Sequence, residues 1–268
     1  MQPIALTIAG SDPSGGAGIQ ADLKTFHQLG VYGEAVITLI TVQNTVALEH
    51  VECLAAVLVL HQLRAVLDDI PPTAAKTGAL GNGSIVRAVA EAAADFRFPL
   101  VVDPVMVSQH GRPLGTDDTL EAIRDRLVPY ASLLTPNLDE AEALTRLEVR
   151  DIDGMHRAAR RLHEMGAKAV LVKGGHRAGD AVDVLYTKGL TREFRAARIE
   201  TRHTHGTGCT YSAAITAELA RGALLEQAVE SAKGFVTEAI HSAPGLGRGS
   251  GPLNHHATAR LARGGAGT

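Results

Sequence analysis

The chain has 268 residues, of which 45% are hydrophobic and 21% charged, a balance typical of a globular protein with a sizeable core. A formal net charge of −3 and an aromatic content of 3% argue against nucleic-acid binding, which depends on a basic face and on stacking side chains. No apolar run approaches the roughly 20 residues of a membrane span and no basic region precedes the first apolar stretch, so we expect a cytoplasmic protein without a membrane partner.

Strand-like and helix-like segments alternate through the first half of the chain. Short apolar or β-branched runs indicate buried strands, and apolar residues at helical spacing indicate helices. In chain order we predict a strand at 3–9, a helix at 16–29, a strand at 35–39, a helix at 53–70, a strand at 74–77, a helix at 85–95, a strand at 100–102 and a helix at 119–127.

The second half of the chain continues the pattern and adds a late pair of strands. We predict a strand at 132–135, helices at 139–144 and 152–165, a strand at 169–172, strands at 182–186 and 194–199 with a turn around Lys188-Gly189, and helices at 210–221 and 225–241. Such an alternation predicts an α/β fold with a mainly parallel central sheet and helices on both faces.

The chain contains no internal repeat and no linker, so we predict one domain over residues 1–257. The Gly-rich residues from Gly245 onward predict irregular structure, and we expect residues 258–268 to form an irregular tail.

Polar and Gly-containing segments follow the predicted strands at their C-terminal ends. They are Gly10-Ser11-Asp12, 41–45, Lys76-Thr77-Gly78, Asp103-Pro104, Thr135-Pro136-Asn137 and Lys173-Gly174-Gly175. Ligands of parallel α/β folds bind outside the C-terminal ends of the strands. The sequence therefore predicts one site along one edge of the sheet.

The segment Gly206-Thr207-Gly208-Cys209 opens a predicted helix. Free N–H groups at a helix start and close backbone approach at glycine predict an anion hole for a phosphoryl group, the alternative being a plain strand-to-helix turn. Cys209 is placed where a helix start stabilises a thiolate. It could polarise or accept the proton of an attacking hydroxyl, or simply pack. A third reading pairs it with His203 or His205 in a thiol hydrolase or metal site.

Four further polar groups have a structural interpretation, and three of them have a functional one as well. Asn137 followed by Glu140 predicts a capping box, and Glu140 could equally hold Mg²⁺. Asp103 could order magnesium-bound water or form an Asx turn. Lys173 offers its charge to a polyphosphate or simply precedes a tight turn. Asp22, early in its predicted helix, interacts favourably with the dipole of that helix.

Together these segments resemble the hydroxymethylpyrimidine/phosphomethylpyrimidine kinases of the ribokinase-like superfamily. The resemblance rests on Ala9–Phe26, Gln43-Asn44-Thr45, Asp103-Pro104-Val105-Met106, Thr135-Pro136-Asn137, Lys173-Gly174-Gly175-His176, Thr204–Cys209 and Gly251-Pro252-Leu253-Asn254-His255. It covers nearly the whole chain, in order. It implies a dimeric ribokinase-like enzyme that uses ATP and Mg²⁺ to convert an aminopyrimidine alcohol to its monophosphate and then to the diphosphate, for thiamine biosynthesis.

The resemblance also implies roles for individual residues. It assigns the pyrimidine pocket to Gly10, Asp22, Gln43 and Val105. It assigns the nucleotide and the metal to Asn137, Lys173 and Glu140, with Asp103 as a second candidate for the metal. It assigns the anion hole, the catalytic set, to Gly206, Thr207, Gly208 and Cys209. Two departures from the family pattern are Ala79, where the family often has Met, and Pro113-Leu114-Gly115, for which we have no account.

The Gln43 amide offers a donor and an acceptor that complement the ring nitrogen and amino group of an aminopyrimidine. This favours the pyrimidine over the nearest rival, a pyridoxal kinase of the same fold. A second rival is a non-catalytic sensor of ATP or of a thiamine precursor. The set of Asp22, Asp103, Glu140, Lys173 and Cys209 argues against a sensor, since a pure binder has no need of it.

Overall fold

Runs of buried Ala, Val, Leu and Ile form the strands of the protein. The structure, a computed structural model, describes residues 2–175 and 180–258. In these residues the strands are β1 (Ile4–Ser11), β2 (Tyr32–Gln43), β3 (Leu48–Cys53), β4 (Ala74–Thr77), β5 (Leu100–Val102), β6 (Leu133–Leu134), β7 (Ala169–Lys173), β8 (Ala181–Thr187) and β9 (Leu190–Ala196). They form one sheet in the order β3-β2-β1-β4-β5-β6-β7-β8-β9. The neighbouring strands from β2 to β7 pair in parallel, whereas β3, β8 and β9 are antiparallel additions at the two ends.

Helices cover both faces of this sheet. Over the described part of the chain they are α1 (Gly18–Gln28), α2 (Ala56–Asp69), α3 (Gly83–Ala93), α4 (Asp117–Ala122), α5 (Leu138–Thr145), α6 (Ile152–Glu164), α7 (Thr207–Ala220) and α8 (Leu225–His241). A π-helical turn, Ile123–Leu127, and a 3-10 turn, Val128–Tyr130, extend α4. None of the described helices is long and apolar enough to cross a membrane.

Strand β5 shows why its sequence is apolar at every position. Leu100 and Val102 belong to the core cluster that includes Leu63 of α2 and Ile85 of α3. Val101, between them, packs into the opposite cluster with Ile215 of α7 and other side chains of α7 and α8. Because successive residues of a strand point to opposite faces, a sheet covered on both sides buries every residue of its central strands. The predicted α/β class with a mainly parallel sheet is confirmed.

The largest difference from the sequence prediction is β3, which was not predicted. Its residues Glu49, His50 and Glu52 are polar because β3 is an edge strand with one solvent-exposed side. The helix predicted from residue 53 therefore begins only at Ala56. Cys53 ends β3, and the N–H of Leu54 still donates to the carbonyl of Thr38 in β2.

At the C-terminal end the predicted turn at Lys188-Gly189 is confirmed, with both residues at positive φ. The strand predicted at 194–199 instead spans Leu190–Ala196. It pairs with β8 through Thr187 and Leu190, so the tight turn determines its register. Residues 245–258 carry no helix or extended strand, as predicted. The domain boundary at residue 257 stays a prediction, since residues 259–268 lie outside the described residues.

Candidate active site

A cavity of about 480 Å³ lies at the C-terminal ends of the parallel strands. Each of the six polar segments singled out in the sequence contributes at least one residue to its wall, among them Gly10, Gln43, Asp103 and Lys173. The strand order places β2 and β8 far apart in the sheet, so the cavity is elongated. One end is lined by Leu39, Gln43, Ala79, Val105 and Leu114, and the other by Ala181, Ala197, Tyr211, Val236 and Ile240.

The start of α7 projects backbone N–H groups into the middle of this cavity. Gly206, at the N-cap, has φ 80°, and a methyl group built there would overlap the carbonyl oxygen of Gly16. Gly208 and Cys209 follow in the first turn, where N–H groups have no intrahelical acceptor. The geometry is that of an anion hole, and both Gly208 and Cys209 line the cavity.

The thiol of Cys209 is half-buried beside the anion hole. Burial disfavours the thiolate more than the nearby Lys76 ammonium favours it, and the pKa of Cys209 rises to about 11. The expectation that the helix start would stabilise a thiolate is therefore wrong. At neutral pH Cys209 is an uncharged thiol.

Lys76 and Asp22 form an ion pair beneath the cavity floor. Both side chains are fully buried, with Lys76 Nζ 2.7 Å from Asp22 Oδ1 and the Thr7 hydroxyl donating to Asp22 Oδ2 at 2.6 Å. Burial alone would lower the pKa of Lys76, but the negative charge of Asp22 outweighs it and raises the pKa. Asp22 does not line the cavity, so it lies below the cavity floor and not in the wall where the sequence analysis placed it.

Asp103 and Lys173 form a second ion pair, which does reach the cavity. Lys173 Nζ donates to Asp103 Oδ1 at 2.7 Å, and the Ser212 hydroxyl donates to Asp103 Oδ2 at 3.0 Å. Burial alone would raise the pKa of Asp103, yet the Lys173 ammonium lowers it. A methyl group built on Gly208 would lie 3.4 Å from Lys173 Nζ. The lysine is thus a cation beside the anion hole.

Asn137 and Glu140 form the predicted capping box and also line the cavity. The Glu140 N–H donates to Asn137 Oδ1, and the Asn137 N–H donates to Glu140 Oε2, each at 2.8 Å. Burial raises the pKa of Glu140 to about 7, against the attraction of the Lys173 ammonium. The structural and functional interpretations of this pair are therefore compatible.

Glu140 and Asp103 are the candidate ligands for Mg²⁺. This ion prefers oxygen ligands and is commonly held by one or two carboxylates together with substrate phosphates. Glu140 Oε1 has no hydrogen-bond partner among the described residues and is the uncommitted oxygen of a cavity-lining carboxylate. Both oxygens of Asp103 already accept hydrogen bonds. The residues fit a magnesium ion held through Glu140, with Asp103 acting through Lys173 or through ordered water.

Gln43 stands at the end of β2, in the end of the cavity that Leu39 and Ala79 also line. Within the described residues its side-chain amide has no hydrogen-bond partner, although its backbone pairs with Leu48 of β3. An amide that lines a cavity without a protein partner is available to a ligand. Gly10 and Val105 line the same end.

An interaction between Asp12 and His205 was not predicted. Asp12 Oδ2 lies 2.8 Å from His205 Nε2 and accepts the N–H of Ala17, while Oδ1 accepts the N–H of Ser14. Burial alone would raise the pKa of Asp12, but the hydrogen bonds from His205 and Ser14 lower it to about 2. The sequence places these residues 193 positions apart, so only the fold joins the first Gly-rich loop to the anion hole.

Lys233 of α8 and Asp183 of β8 were also not predicted as site residues. Lys233 Nζ donates to Asp183 Oδ2 at 2.6 Å, and the N–H of Gly174 donates to Asp183 Oδ1 at 3.0 Å. Both side chains line the end of the cavity next to β8. A buried Asp in an apolar strand was the available signal. His176, named among the motif residues, lies outside the described residues.

A family model described as phosphomethylpyrimidine kinase matches residues 12–254. The chain is 45% identical over 262 residues to the hydroxymethylpyrimidine/phosphomethylpyrimidine kinase of Haemophilus influenzae. This match covers 96% of the chain and 97% of the relative. It is 46% identical over 252 residues to the thiamine biosynthesis bifunctional protein ThiED of Geobacter sulfurreducens. This match covers 93% of the chain and 51% of the relative, so the chain spans about half of that relative's length.

A solved structure has the same fold as this chain. The ADP complex of Bacillus subtilis pyridoxal kinase superposes on the chain with a TM-score of 0.89 at 39% identity. The match covers 96% of this chain and 98% of that one.

Proposed function

The chain belongs to the phosphomethylpyrimidine kinase family, and from this membership we propose that it phosphorylates 4-amino-5-hydroxymethyl-2-methylpyrimidine to the monophosphate and then to the diphosphate. It is a ribokinase-like phosphotransferase of thiamine biosynthesis that uses ATP. The observation that carries the substrate assignment is the free amide of Gln43 at one end of a cavity whose middle is an anion hole. The apolar walls of that end suit a flat heteroaromatic ring.

Gln43 reads the ring through two complementary hydrogen bonds. Its amide oxygen accepts from the exocyclic amino group, and its amide nitrogen donates to the adjacent ring nitrogen. A ligand that leaves either group unpaired in this partly buried pocket loses about 1–3 kcal/mol. The pair of hydrogen bonds also orients the hydroxymethyl group toward Cys209.

The centre of the cavity stabilises the transferred phosphoryl group. The N–H groups of Gly208 and Cys209 donate to its oxygens, and the Lys173 ammonium neutralises charge that moves toward the leaving oxygen. Phosphoryl transfer depends mainly on positioning and charge stabilisation, so these fixed donors account for most of what the protein contributes. Thr207 stabilises the turn by donating its hydroxyl proton to the carbonyl of Thr204 at 2.7 Å.

The nucleotide occupies the end of the cavity next to β8. Asn137, Lys173 and the 174–175 segment approach its phosphates, and the apolar side chains of Val236 and Ile240 lie along its base. When bound, Mg²⁺ would neutralise negative charge on the phosphates. Glu140 is the residue that would hold it, directly or through water.

Cys209 suits an enzyme with two successive acceptors. A neutral thiol beside the anion hole can hydrogen-bond an attacking alcohol without repelling the charged monophosphate that attacks in the second step. A permanently charged carboxylate at this position would favour only the first acceptor. This interpretation rests on the raised pKa of Cys209 together with its place in the anion hole.

A pyridoxal kinase is the second candidate, because the B. subtilis structure that matches most of the chain is described as one. A pyridine ring with a phenolic oxygen presents a different edge to Gln43. The first experiment is therefore phosphate transfer from Mg-ATP to hydroxymethylpyrimidine, to its monophosphate and to pyridoxal, with the wild-type protein and Gln43→Ala. We expect turnover of both pyrimidines and a KM for them about 10-fold or more higher in the variant, with the KM for ATP unchanged.

Turnover of pyridoxal alone would overturn the substrate assignment but would still show that the protein is a kinase. Protection of the protein by ATP against thermal unfolding with no ADP release toward any acceptor would indicate a sensor. The Gln43→Glu variant is a matched control, because it keeps the side chain's size and removes its donor.

We also propose that the protein is a cytoplasmic homodimer. Support for a dimer comes from exposed apolar side chains near the edge of the sheet. Ile40 and Val42 of β2, next to edge strand β3, and Val46 of the β2–β3 turn are 47%, 49% and 56% exposed. Both cysteines are free, as in reducing compartments. Light scattering that gives the 28.1 kDa mass of one chain would overturn the dimer, and recovery in a membrane or secreted fraction would overturn the location.

A further inference from the structure

A short Gly-rich segment after α8 lies between the β2–β3 turn and the residues that precede α7. We call residues 249–252, Gly249-Ser250-Gly251-Pro252, the C-terminal strap. The next residue, Leu253, is 2% exposed and packs into the core beneath α7 and α8, and the N–H of Asn254 donates to the carbonyl of Ala239. The strap is therefore anchored directly to the body of the protein.

On one side the strap binds the turn between β2 and β3. The N–H of Ser250 donates to the carbonyl of Thr45 at 2.9 Å, and the N–H of Gly249 donates to the Thr45 hydroxyl at 3.2 Å. A methyl group built on Gly249 would overlap the carbonyl oxygen of Thr45. The two segments approach so closely that no room is left for a side chain on Gly249.

On its other side the strap binds the residues that lead into the anion hole. The N–H of His205 donates to the carbonyl of Gly251 at 3.1 Å, and His205 and Pro252 form a short parallel bridge. The Ser250 hydroxyl donates to the carbonyl of Arg202 at 2.9 Å. Gly206, the first residue of the anion hole, follows His205 directly.

The two segments that the strap binds adjoin the two parts of the proposed site, the Gln43 amide and the anion hole. Thr45 lies two residues after Gln43, in a turn held rigid by Asn44, whose side chain accepts the N–H groups of Val46 and Ala47. His205 lies immediately before the anion hole. These segments come from β2 and α7, which are far apart in the chain, and the strap is hydrogen-bonded to both.

We propose that the strap is a positioning element for the pyrimidine, and that Thr45 and Gly249 are its positioning residues. Together they hold the Gln43 amide at a fixed separation from the Gly206–Cys209 anion hole. This inference rests on the proposed function, since it assigns to the strap the alignment of the acceptor hydroxyl. A misplacement of about 1 Å between acceptor and phosphoryl group can cost about 100-fold in rate.

The kinetic test uses Gly249→Ala and Thr45→Val, with Thr45→Ser as the conservative variant that keeps the hydroxyl acceptor. We expect Gly249→Ala and Thr45→Val to raise the KM for the pyrimidine about 10-fold and to lower kcat, with the KM for ATP changed less than about two-fold. Thr45→Ser should restore wild-type values. Gly234→Ala in α8, where an added methyl group meets nothing within 4 Å, is the matched control. Arg248→Ala, at the exposed residue just before the strap, should also match wild type.

A second measurement needs no substrate. Amide hydrogen exchange of Gly249→Ala should speed up both in residues 44–47 and in residues 203–206, with the amides of α6 unchanged. Faster exchange confined to the strap would overturn the proposal, as would kinetics that match wild type or a KM for ATP that rises together with that for the pyrimidine. If the wild-type protein turns over no pyrimidine, the proposed function fails, and coupled exchange of the two segments still decides whether the strap joins them.

Discussion

The thiol of Cys209 lies in the first turn of α7, where the helix dipole favours a thiolate, yet its pKa is raised to about 11. Burial has the larger effect on the pKa. The helix dipole stabilises a thiolate by about 1 kcal/mol, whereas removing a charge from water costs several kcal/mol. The negative charges of nearby Asp22 and Asp103 also disfavour the thiolate. The residue can therefore serve an anionic acceptor.

This charge state leads to a prediction for Cys209→Asp. An ionised carboxylate beside the anion hole would repel the monophosphate more than the alcohol, so we expect the second phosphorylation to fall about 100-fold or more relative to the first. The ratio of kcat/KM for the two acceptors measures this directly. Cys209→Ser, which stays neutral, is the control and should reduce both steps in similar proportion. Equal losses in Cys209→Asp would contradict the interpretation.

At the scale of secondary-structure elements, the start of α7 is held by contacts from three other segments. The first loop reaches it through Asp12 and His205, the strap through Gly251, and the 107–114 segment through a hydrogen bond from Gln109 to Thr204. These contacts hold the N–H groups of the helix start in place. Preorganised donors of this kind stabilise developing charge without reorganisation during the reaction.

We therefore expect Gly206→Ala to damage the site selectively. The positive φ disfavours a side chain by about 1–2 kcal/mol, and the added methyl group would overlap the Gly16 carbonyl. The expected result is a loss of kcat of about 100-fold or more. Gly234→Ala, inside α8, should keep wild-type kcat and gain up to about 1 kcal/mol of stability. Normalising activity to the folded fraction measured by circular dichroism separates the two effects, and a wild-type kcat in folded Gly206→Ala would contradict the prediction.

At the scale of the whole molecule, the residues after α8 fasten the site to the core. His255 is buried, with Nε2 3.2 Å from the Thr210 hydroxyl of α7. Burial lowers the pKa of His255 to about 4, from 6.5. In the unfolded chain the imidazole takes up its proton at a higher pH than in the folded protein. The stability contributed by neutral His255 is thus complete above pH 6.5 and is lost as the pH falls toward 4.

Urea unfolding at pH 7 and pH 5 checks this dependence. The wild-type protein should lose about 2 kcal/mol of unfolding free energy over this interval that His255→Gln does not lose. His241→Gln, which replaces an exposed imidazole at the end of α8, should behave like wild type. A pH dependence in His255→Gln equal to that of the wild-type protein would contradict the prediction.

The sequence by itself determined the order of most strands and helices, the α/β class and the edge of the sheet that carries the site. It could do so because buried parallel strands are apolar at every position and because glycine and polar residues collect at their C-terminal ends. Lys173, Glu140 and the Gly206–Cys209 segment stand next to such strand ends or helix starts, so local patterns were enough to place them at the cavity, whereas Gln43 was singled out by the family resemblance.

Tertiary structure alone decided the rest. Edge strand β3 carries polar residues on its exposed side, so no apolar run marks it. Asp12 and His205, Lys76 and Asp22, and Thr45 and Gly249 meet across 193, 54 and 204 positions of the chain, and no local pattern records such pairings. The charge of Cys209 likewise depends on how deeply the fold buries it and on which ion pairs lie beside it. A sequence specifies which groups are present, whereas burial and distance, which set their charge and their partners, arise only when the chain has folded.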